Sequence, residues 1–366
     1  MARKLKNDES YYLAGQWTLM ARKLRKHKLA RFSMFLLLAL YLVALFGNFL
    51  APSDLLAYNA RTKNSPPTKI HLFHEGEFVG PFVYGLESKR DMETFEMVFT
   101  EKTDEIYKIR WFTKGPAYKL FGLIPADIHL FGVEEGGFIF LFGSDSMGRD
   151  LFSRMILGSQ VSLTIPFAGT CISFILGILI GSLSGYFGGW LDLVVQRIIE
   201  VLSSFPAIPL WMALSAAIPS DVPVVQMYLY ITIIISLLGW TGLARIVRGK
   251  FISLRQEDFV TAAKLAGVSD FNIILKHLVP GFMSYLIVNL TLGIPSMIIG
   301  ETSMSFLGLG IRAPATSWGV LLQEAQEIAS IASYPWRLIP LAAVVITVLA
   351  FNFLGDGLRD AADPYK

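Results

Sequence analysis

The chain has 366 residues, 53% hydrophobic and 17% charged, with a formal net charge of +3 and a single cysteine; its mean hydropathy is +0.52. Soluble domains carry about 25% charged residues, and disordered chains pair low hydrophobicity with high net charge, so both classes are excluded and an integral membrane protein remains. The lone Cys171 also rules out a disulfide framework and a cysteine-ligated metal cluster.

Residues 1–31 hold nine lysines and arginines, including Arg22, Lys23, Arg25, Lys26, Lys28 and Arg31, against Asp8 and Glu9. Six uncharged intervals of at least 18 residues follow, at 32–53, 155–191, 201–220, 222–244, 278–300 and 338–355. A helix needs about 20 apolar residues to cross roughly 30 Å of hydrocarbon. Lipid offers no partner to a backbone amide, so each interval predicts a membrane-spanning helix. The first is too long for a signal-peptide core and no convincing cleavage site follows it, so an uncleaved anchor is expected. The last is the shortest, with Trp336 and Arg337 placed to sit at its interface end.

Lysine and arginine in short loops set orientation. The basic segment 1–31 is therefore expected in the cytoplasm, and so is the loop 245–277, with six basic residues against three acidic ones. Residues 54–142 fall outside the cytoplasm on this count. Within them, 105–112 alternates, with Tyr107, Ile109 and Trp111 on one side and Lys108 and Arg110 on the other, the pattern of a half-buried strand. Asn64-Ser65-Pro66-Pro67 and Gly115-Pro116 read as turns or breakers. A small strand-containing outer domain results, serving as a lid over helix ends or as a docking surface for an extracytoplasmic partner.

The second span carries Gly177, Gly181 and Gly185 at four-residue spacing, a stripe on which another helix can pack closely. Pro206 and Pro209 at the start of the third span, and Pro295 in the fifth, remove backbone donors and favour a bend or a start. Before the second span, Asp145, Arg149, Asp150 and Arg154 lie close enough to pair and to fix a short helix along the membrane. Residues 245–281 read RIVRGKFISLRQEDFVTAAKLAGVSDFNIILKHLVPG. A helix through Ala262, Ala263, Leu265 and Ala266 is expected to break at Gly267. A second, Asp270 to Leu278, is capped by Ser269 and stopped by Pro280. Two short helices joined at a glycine make a knob able to enter a groove on a partner, or an amphipathic hairpin resting on headgroups. Residues 318–329 place Val320, Leu321, Glu324 and Glu327 at helical spacing, an outer helix too short to span a bilayer.

No internal repeat, phosphate-binding loop, H-E-x-x-H zinc motif or G-x-S-x-G elbow is present. The nearest phosphate-loop fragment, Gly242 to Lys250, has six residues between its glycines, and Phe251 stands at the hydroxyl position. Ionisable residues fall at span ends, with Glu301 the nearest exception, which disfavours an ion-driven carrier. His71, His74 and His129 are scattered in the outer domain, so no catalytic or metal-ligating residue is assigned.

Thr261-Ala262-Ala263, Gly267, Ile273-Ile274 and Leu278-Val279-Pro280 resemble the EAA loop of ABC importer permeases, which docks on the ATPase subunits. Gly143-Ser144-Asp145-Ser146-Met147-Gly148-Arg149-Asp150 with Ser153-Arg154 is similar to a motif of the dipeptide/oligopeptide/nickel branch, C-type subunit. So are Glu301-Thr302-Ser303-Met304-Ser305-Phe306-Leu307-Gly308-Leu309-Gly310 with Trp318-Gly319, and Gly355-Asp356-Gly357-Leu358-Arg359-Asp360 with Asp363-Pro364. Thr261 stands where that loop often carries glutamate, and the outer domain is longer than in many relatives.

The resemblance implies an all-α membrane protein of six transmembrane helices, the type I ABC importer permease fold, with the small outer domain after the first. It divides the chain into a basic segment 1–31, a first span 32–53, an extracytoplasmic domain 54–142 and a permease core 143–366 with a coupling loop 245–281. It assigns coupling to Asp258, Thr261, Ala262, Ala263, Gly267, Leu278 and Pro280. It implies no cofactor in this chain, with ATP and Mg held by two ATPase subunits. A second permease chain, an extracytoplasmic solute-binding protein and membrane lipid complete the partners, with no nucleic acid. The setting is a prokaryotic inner membrane with both termini cytoplasmic. Peptides are the expected cargo; nickel, glutathione-like compounds and short oligosaccharides are the alternatives. An ion-coupled carrier or a membrane receptor is the rival class.

Overall fold

The computed structural model describes residues 15–90, 92, 97–134, 136–219, 221–312, 314–326 and 332–363. Helix α1 (Gln16–Lys26) sets Trp17, Met20 and Leu24 on one side and Arg22, Arg25 and Lys26 on the other. The chain turns at His27, whose Nδ1 accepts from the Ala30 amide at 3.1 Å and so starts α2 (Lys28–Leu45). A further turn, α3 (Gly47–Leu50), extends that helix.

The predicted strand lies within a four-stranded antiparallel meander, β1 (His71–His74), β2 (Glu77–Arg90), β3 (Met97–Leu120) and β4 (Ile124–Val133), paired in sequence order. Tyr107 and Ile109 pack against Val83, Phe131 and Ile139, while Lys108 and Arg110 face solvent, as the alternation requires. Trp111 departs from it and is 62% exposed; the next residue, Phe112, takes a φ of 54°, which interrupts the alternation there. Gly115 and Pro116 do not end the strand. They lie where the β3–β4 register shifts, between Lys114 and Tyr118, a bulge that spares proline a ladder hydrogen bond.

Beyond the sheet come α4 (Leu151–Phe187), α5 (Gly189–Ser204), α6 (Ala207–Ala216) and α7 (Val224–Leu254). Then follow the short α8 (Asp258–Leu265) and α9 (Asp270–Asn272), a π-helical turn (Ile273–Leu278) and α10 (Val279–Gly281). The chain ends with α11 (Met283–Phe306), α12 (Trp318–Glu324) and α13 (Ile339–Ala362). Among the described residues five helices, α2, α4, α7, α11 and α13, are long and apolar enough to cross a bilayer. The third expected span is not a single helix: α5 and α6 meet at 85°. Pro206 causes the break, because it offers no N–H and forces Phe205 into extended backbone, φ −85° and ψ 134°.

Helix α4 is the axis of the bundle. Its glycine stripe receives α7. A Cβ on Gly177 would lie 2.9 Å from Leu243 Cβ, on Gly181 2.5 Å from the Ala244 carbonyl, and on Gly185 2.6 Å from the Arg248 carbonyl. Hydroxyls stitch the same seam: Ser173 donates to the Ser236 carbonyl at 3.2 Å and Ser236 to the Gly169 carbonyl at 3.3 Å. On the other flank Leu37, Leu163, Ile298, Trp318 and Phe351 form one core among α2, α4, α11, α12 and α13. Because α4 runs the full depth, its first residue marks the sheet end of the bundle and its last the loop end.

Candidate functional site

At the loop end, residues 245–281 form a compact knob with an apolar underside. Val260, Ile273, Ile274, Leu278 and Val279 are buried against Tyr186 of α4, Val247 and Phe251 of α7, and Leu286 of α11. The first helix is α8, and Gly267 ends it in the left-handed region at φ +78°. The Gly267 amide donates to the Lys264 carbonyl at 3.0 Å and the Val268 amide to the Ala263 carbonyl at 3.1 Å, a Schellman closure with Ala263 and Val268 in the apolar underside. A Cβ at Gly267 would meet open space, so the glycine is needed for its φ and not for a close approach. The outer face carries Asp258, Thr261, Ala262 and Leu265, all exposed, Leu265 to 85%; Ala263 is half-buried.

The second helix differs from the sequence reading in two ways. Ser269 occupies the N-cap position, yet its side chain makes no capping bond; its Oγ accepts from Asn272 Nδ2 at 2.9 Å instead. Nor does Pro280 stop the helix. Pro280 lies inside α10, and the chain breaks at Phe282, φ −131°. Proline has no N–H to give and its ring crowds the preceding turn, and that turn is wound as π, with the Val279 amide reaching the Ile274 carbonyl.

Tyr186 clamps the knob and was not singled out by sequence. Its hydroxyl donates to Asp270, and Lys264 Nζ lies 5.0 Å from its ring centroid, so one side chain holds both short helices. A polar layer sits beneath: Arg248 donates to Asp192 through Nε at 2.5 Å and Nη2 at 2.6 Å, and Ser184 Oγ donates to Asp192 at 2.5 Å. Arg255 Nη1 donates to the Gly185 and Tyr186 carbonyls at 3.2 and 3.1 Å, closing the end of α4. The knob is thus fastened to α4 and α7 together.

At the sheet end, the segment Gly143–Asp150 makes a tight loop and not the short helix along the membrane that its charges suggested. Gly143 and Gly148 lie in it with positive φ, and Ser144 bridges Asp150. The charges do pair. Asp145 Oδ2 accepts from Arg149 Nε at 2.7 Å and Arg154 Nη1 at 2.5 Å, while its Oδ1 accepts from the Met147 and Arg149 amides. The fourth member, Glu324 of α12, takes both Arg149 and Arg154, at 2.5 to 3.0 Å. Sequence spacing gives no hint of this contact, because it joins residues 170 positions apart. Asp150 caps α4, accepting from Phe152 N at 3.2 Å and from Ser153 N and Oγ at 3.0 and 2.5 Å. Burial pushes its carboxyl up to about 6, against the lowering effect of those hydrogen bonds.

Glu301 is fully buried in α11, where its carboxylate accepts from Ser162 Oγ at 3.3 Å and Ser305 Oγ at 2.8 Å. Ser162 Oγ in turn accepts from the Trp318 amide at 3.0 Å, and Trp318 Nε1 donates to the Met155 carbonyl at 3.1 Å. Gly319 packs on Ser305 and Thr302, and Gly310 on Ser305, so the motif after the fifth interval is an internal joint among α4, α11 and α12. Phe306 and Leu307 are exposed at its edge and Gly308 turns the chain. In the C-terminal motif, Gly355 faces Leu292 of α11 and Gly357 faces Ala30 of α2. Asp360 approaches His27 to 4.0 Å and the Asp363 carbonyl accepts from Lys23 Nζ at 2.7 Å. Asp356 and Arg359 are both exposed on the same helix; Pro364 and Glu327 lie outside the described residues. Among the described residues no group of His, Cys, Asp and Glu is arranged to hold a metal ion.

Residues 177–365 match the family described as binding-protein-dependent transport system inner membrane component, and residues 15–67 match the N-terminal TM domain of oligopeptide transport permease C. The dipeptide transport system permease protein DppC of Bacillus subtilis is 30% identical over 364 residues, 99% of this chain and 89% of its own. The oligopeptide transport system permease protein OppC of Haemophilus influenzae is 42% identical over 224 residues, 61% of this chain and 70% of its own. The glutathione transport system permease protein GsiD of Escherichia coli O6:K15:H31 is 42% identical over 223 residues, 61% of this chain and 71% of its own.

Proposed function

The chain belongs to the family of binding-protein-dependent transport system inner membrane components, and on that premise we propose that it is the permease subunit of an ATP-driven importer of short peptides. The observation that carries the reading is the knob: an exposed tip of Thr261, Ala262 and Leu265, on an underside fastened to α4 and α7 through Tyr186 and the Asp192–Arg248 pair. Leu265 is not alone: Phe259, Phe271 and Leu275 of the same knob are exposed as well, and an apolar surface of this kind suits a groove on a neighbour. The neighbours are two ATPase subunits holding ATP and Mg, and this chain itself is non-catalytic.

In this reading the basic segment, the knob and the C-terminal motif face the cytoplasm and the sheet faces outward. The bent pair α5–α6 counts as the third of six spans, giving the type I topology. A second, homologous permease chain completes the path, and an extracytoplasmic binding protein selects the cargo. Peptide cargo is supported by the names of the relatives, which act in dipeptide, oligopeptide and glutathione transport. ATP draws the two ATPases together, and the docked knobs carry that motion into α4 and α7. The switch works only if the docked contacts differ in free energy between the inward-open and outward-open states.

Leu265→Asp tests the reading, because so exposed a position tolerates the change without loss of fold. The variant complex should lose the ATPase subunits on purification and lose peptide uptake. Wild-type uptake by the variant, or peptide flux through vesicles holding this chain alone, would overturn the assignment.

A further inference from the structure

The β3–β4 hairpin ends in the run Leu120-Phe121-Gly122-Leu123-Ile124-Pro125-Ala126, with no charge and no hydrogen-bonding side chain. Residues 121–125 are all exposed, Leu123 to 82% and Ile124 to 57%. A contiguous apolar tip of this kind marks an interaction surface. The β1–β2 hairpin, whose turn lies toward the same end of the meander but by register falls short of this tip, turns through Glu75-Gly76-Glu77, which is the chemistry of a tip in water.

The position of the tip identifies its partner. Along β3, Pro116 and Tyr118 border the same cleft as Ala51 and Ser53, beyond the end of α3. Further on, Phe121 and Gly122 border a cleft with Tyr41, Ala44 and Leu45 of α2. The hairpin therefore runs back down the first span as it approaches its tip. The Phe121 ring lies 5.7 Å from Phe46. Phe46 is four residues inside the last helical residue, Leu50, which is about 6 Å of helical rise. Apolar groups of interfacial anchors enter to about 5–10 Å, so the tip reaches the right depth.

Three further observations agree. Leu38, Leu42 and Leu45 form an exposed apolar strip of α2, and Phe121 and Gly122 border Leu45 at its end, across a cleft that Asn48, Gln160 and Thr164 also line. Phe121 also holds a φ of 54°, a left-handed position that Asn or Gly fills at less conformational cost than a bulky aromatic. Exposed Lys119 stands one residue before the run, where its stem can lie along lipid and its ammonium reach the headgroups.

We propose that Phe121, Leu123 and Ile124 anchor the sheet domain by immersion in the lipid leaflet beside the first span. The cleft of about 440 Å³ among the tip, α2 and α4 then opens to acyl chains. The anchor adds to the packing that already holds the sheet on the bundle, where Phe131 of β4 meets Phe152 of α4 and Phe112 of β3 meets Phe49 of α3.

A spin label at Leu123→Cys, in a Cys171→Ser background in phospholipid nanodiscs, reads the environment of the tip. Glu75→Cys supplies the water-exposed reference. The label at 123 should collide severalfold more with dissolved oxygen than with a water-soluble nickel chelate, and the label at 75 should show the reverse. A label at 123 that behaves like the one at 75 would overturn the proposal. So would one shielded from both reagents, as contact with a protein partner would give. If the cysteine background does not fold, Leu123→Trp in the natural chain gives the same answer. Brominated acyl chains should quench its added fluorescence, and an unquenched increment rejects the anchor.

Discussion

At Gly267 the backbone takes φ +78° while a Cβ would touch nothing, so substitutions there are ranked by left-handed tolerance and not by size. A non-glycine residue in this region costs about 1–2 kcal/mol, least for Asn. Gly267→Asn should keep ATPase stimulation in the assembled complex and Gly267→Val should lose it. Equal loss in both variants would mean that the face of the glycine itself is in contact with the partner. The buried arginine at the sheet end gives a second case. Arg154 is nearly inaccessible and joins Asp145 to Glu324. Removing one member of a buried ionic cluster typically costs about 3–5 kcal/mol. Arg154→Gln should lower the thermal midpoint of the purified chain clearly, and Glu324→Gln less, since Glu324 is the more exposed partner. Asp150 sets a pH dependence. Its carboxyl is raised from 3.8 to about 6 by burial, so between those values the folded state holds a proton that the unfolded state releases. Its contribution to stability therefore rises as pH falls from 6 toward 4 and is lost as pH rises through 6. The Tm difference between wild type and Asp150→Asn should shift in favour of wild type over that interval.

At the scale of elements, the α4–α7 seam is set by backbone approach. Gly181 lies under the Ala244 carbonyl with no room for a side chain. Ordinary overpacking costs about 1–3 kcal/mol, and here the obstacle is main chain that cannot rotate away, so Gly181→Leu should prevent recovery of folded protein. Gly249, on the open side of α7, is the control: nothing lies within 4 Å of its Cβ position. Gly249→Ala should stabilise by about 0.5–1 kcal/mol through helix entropy alone, read as a raised thermal midpoint.

At the scale of the molecule, α4 links two distant fittings. Its first turn holds the Asp145–Arg149–Arg154–Glu324 cluster and its last holds Tyr186, the clamp of the knob. In the proposed mechanism, motion of the knob would reach the sheet end through this one helix, braced by α7 along the glycine stripe. The C-terminal helix closes the bundle where Gly357 seats Ala30, which brings both ends of the described chain to the knob's side.

The sequence by itself determined the class, five helices of membrane-spanning length and the first helix of the knob, because these depend on local quantities. Charge gaps measure bilayer thickness, four-residue glycine spacing marks one helix face, and Gly267 ends a helix wherever it stands. Tertiary structure decided what depends on distant partners. Glu324 completes a cluster begun 179 residues earlier, at Asp145. Tyr186 holds two helices that lie 70 or more residues further on. The turn before Pro280 is wound as π and the chain breaks only at Phe282, an accommodation of the proline ring that a stop rule read from sequence does not foresee. The third expected span breaks at Pro206, whose signal in the sequence fits a start as well as a break. The depth of the β3–β4 tip is the last example. Only the fold lays its apolar run beside α2, where the proposed burial in lipid gives those side chains a favourable environment.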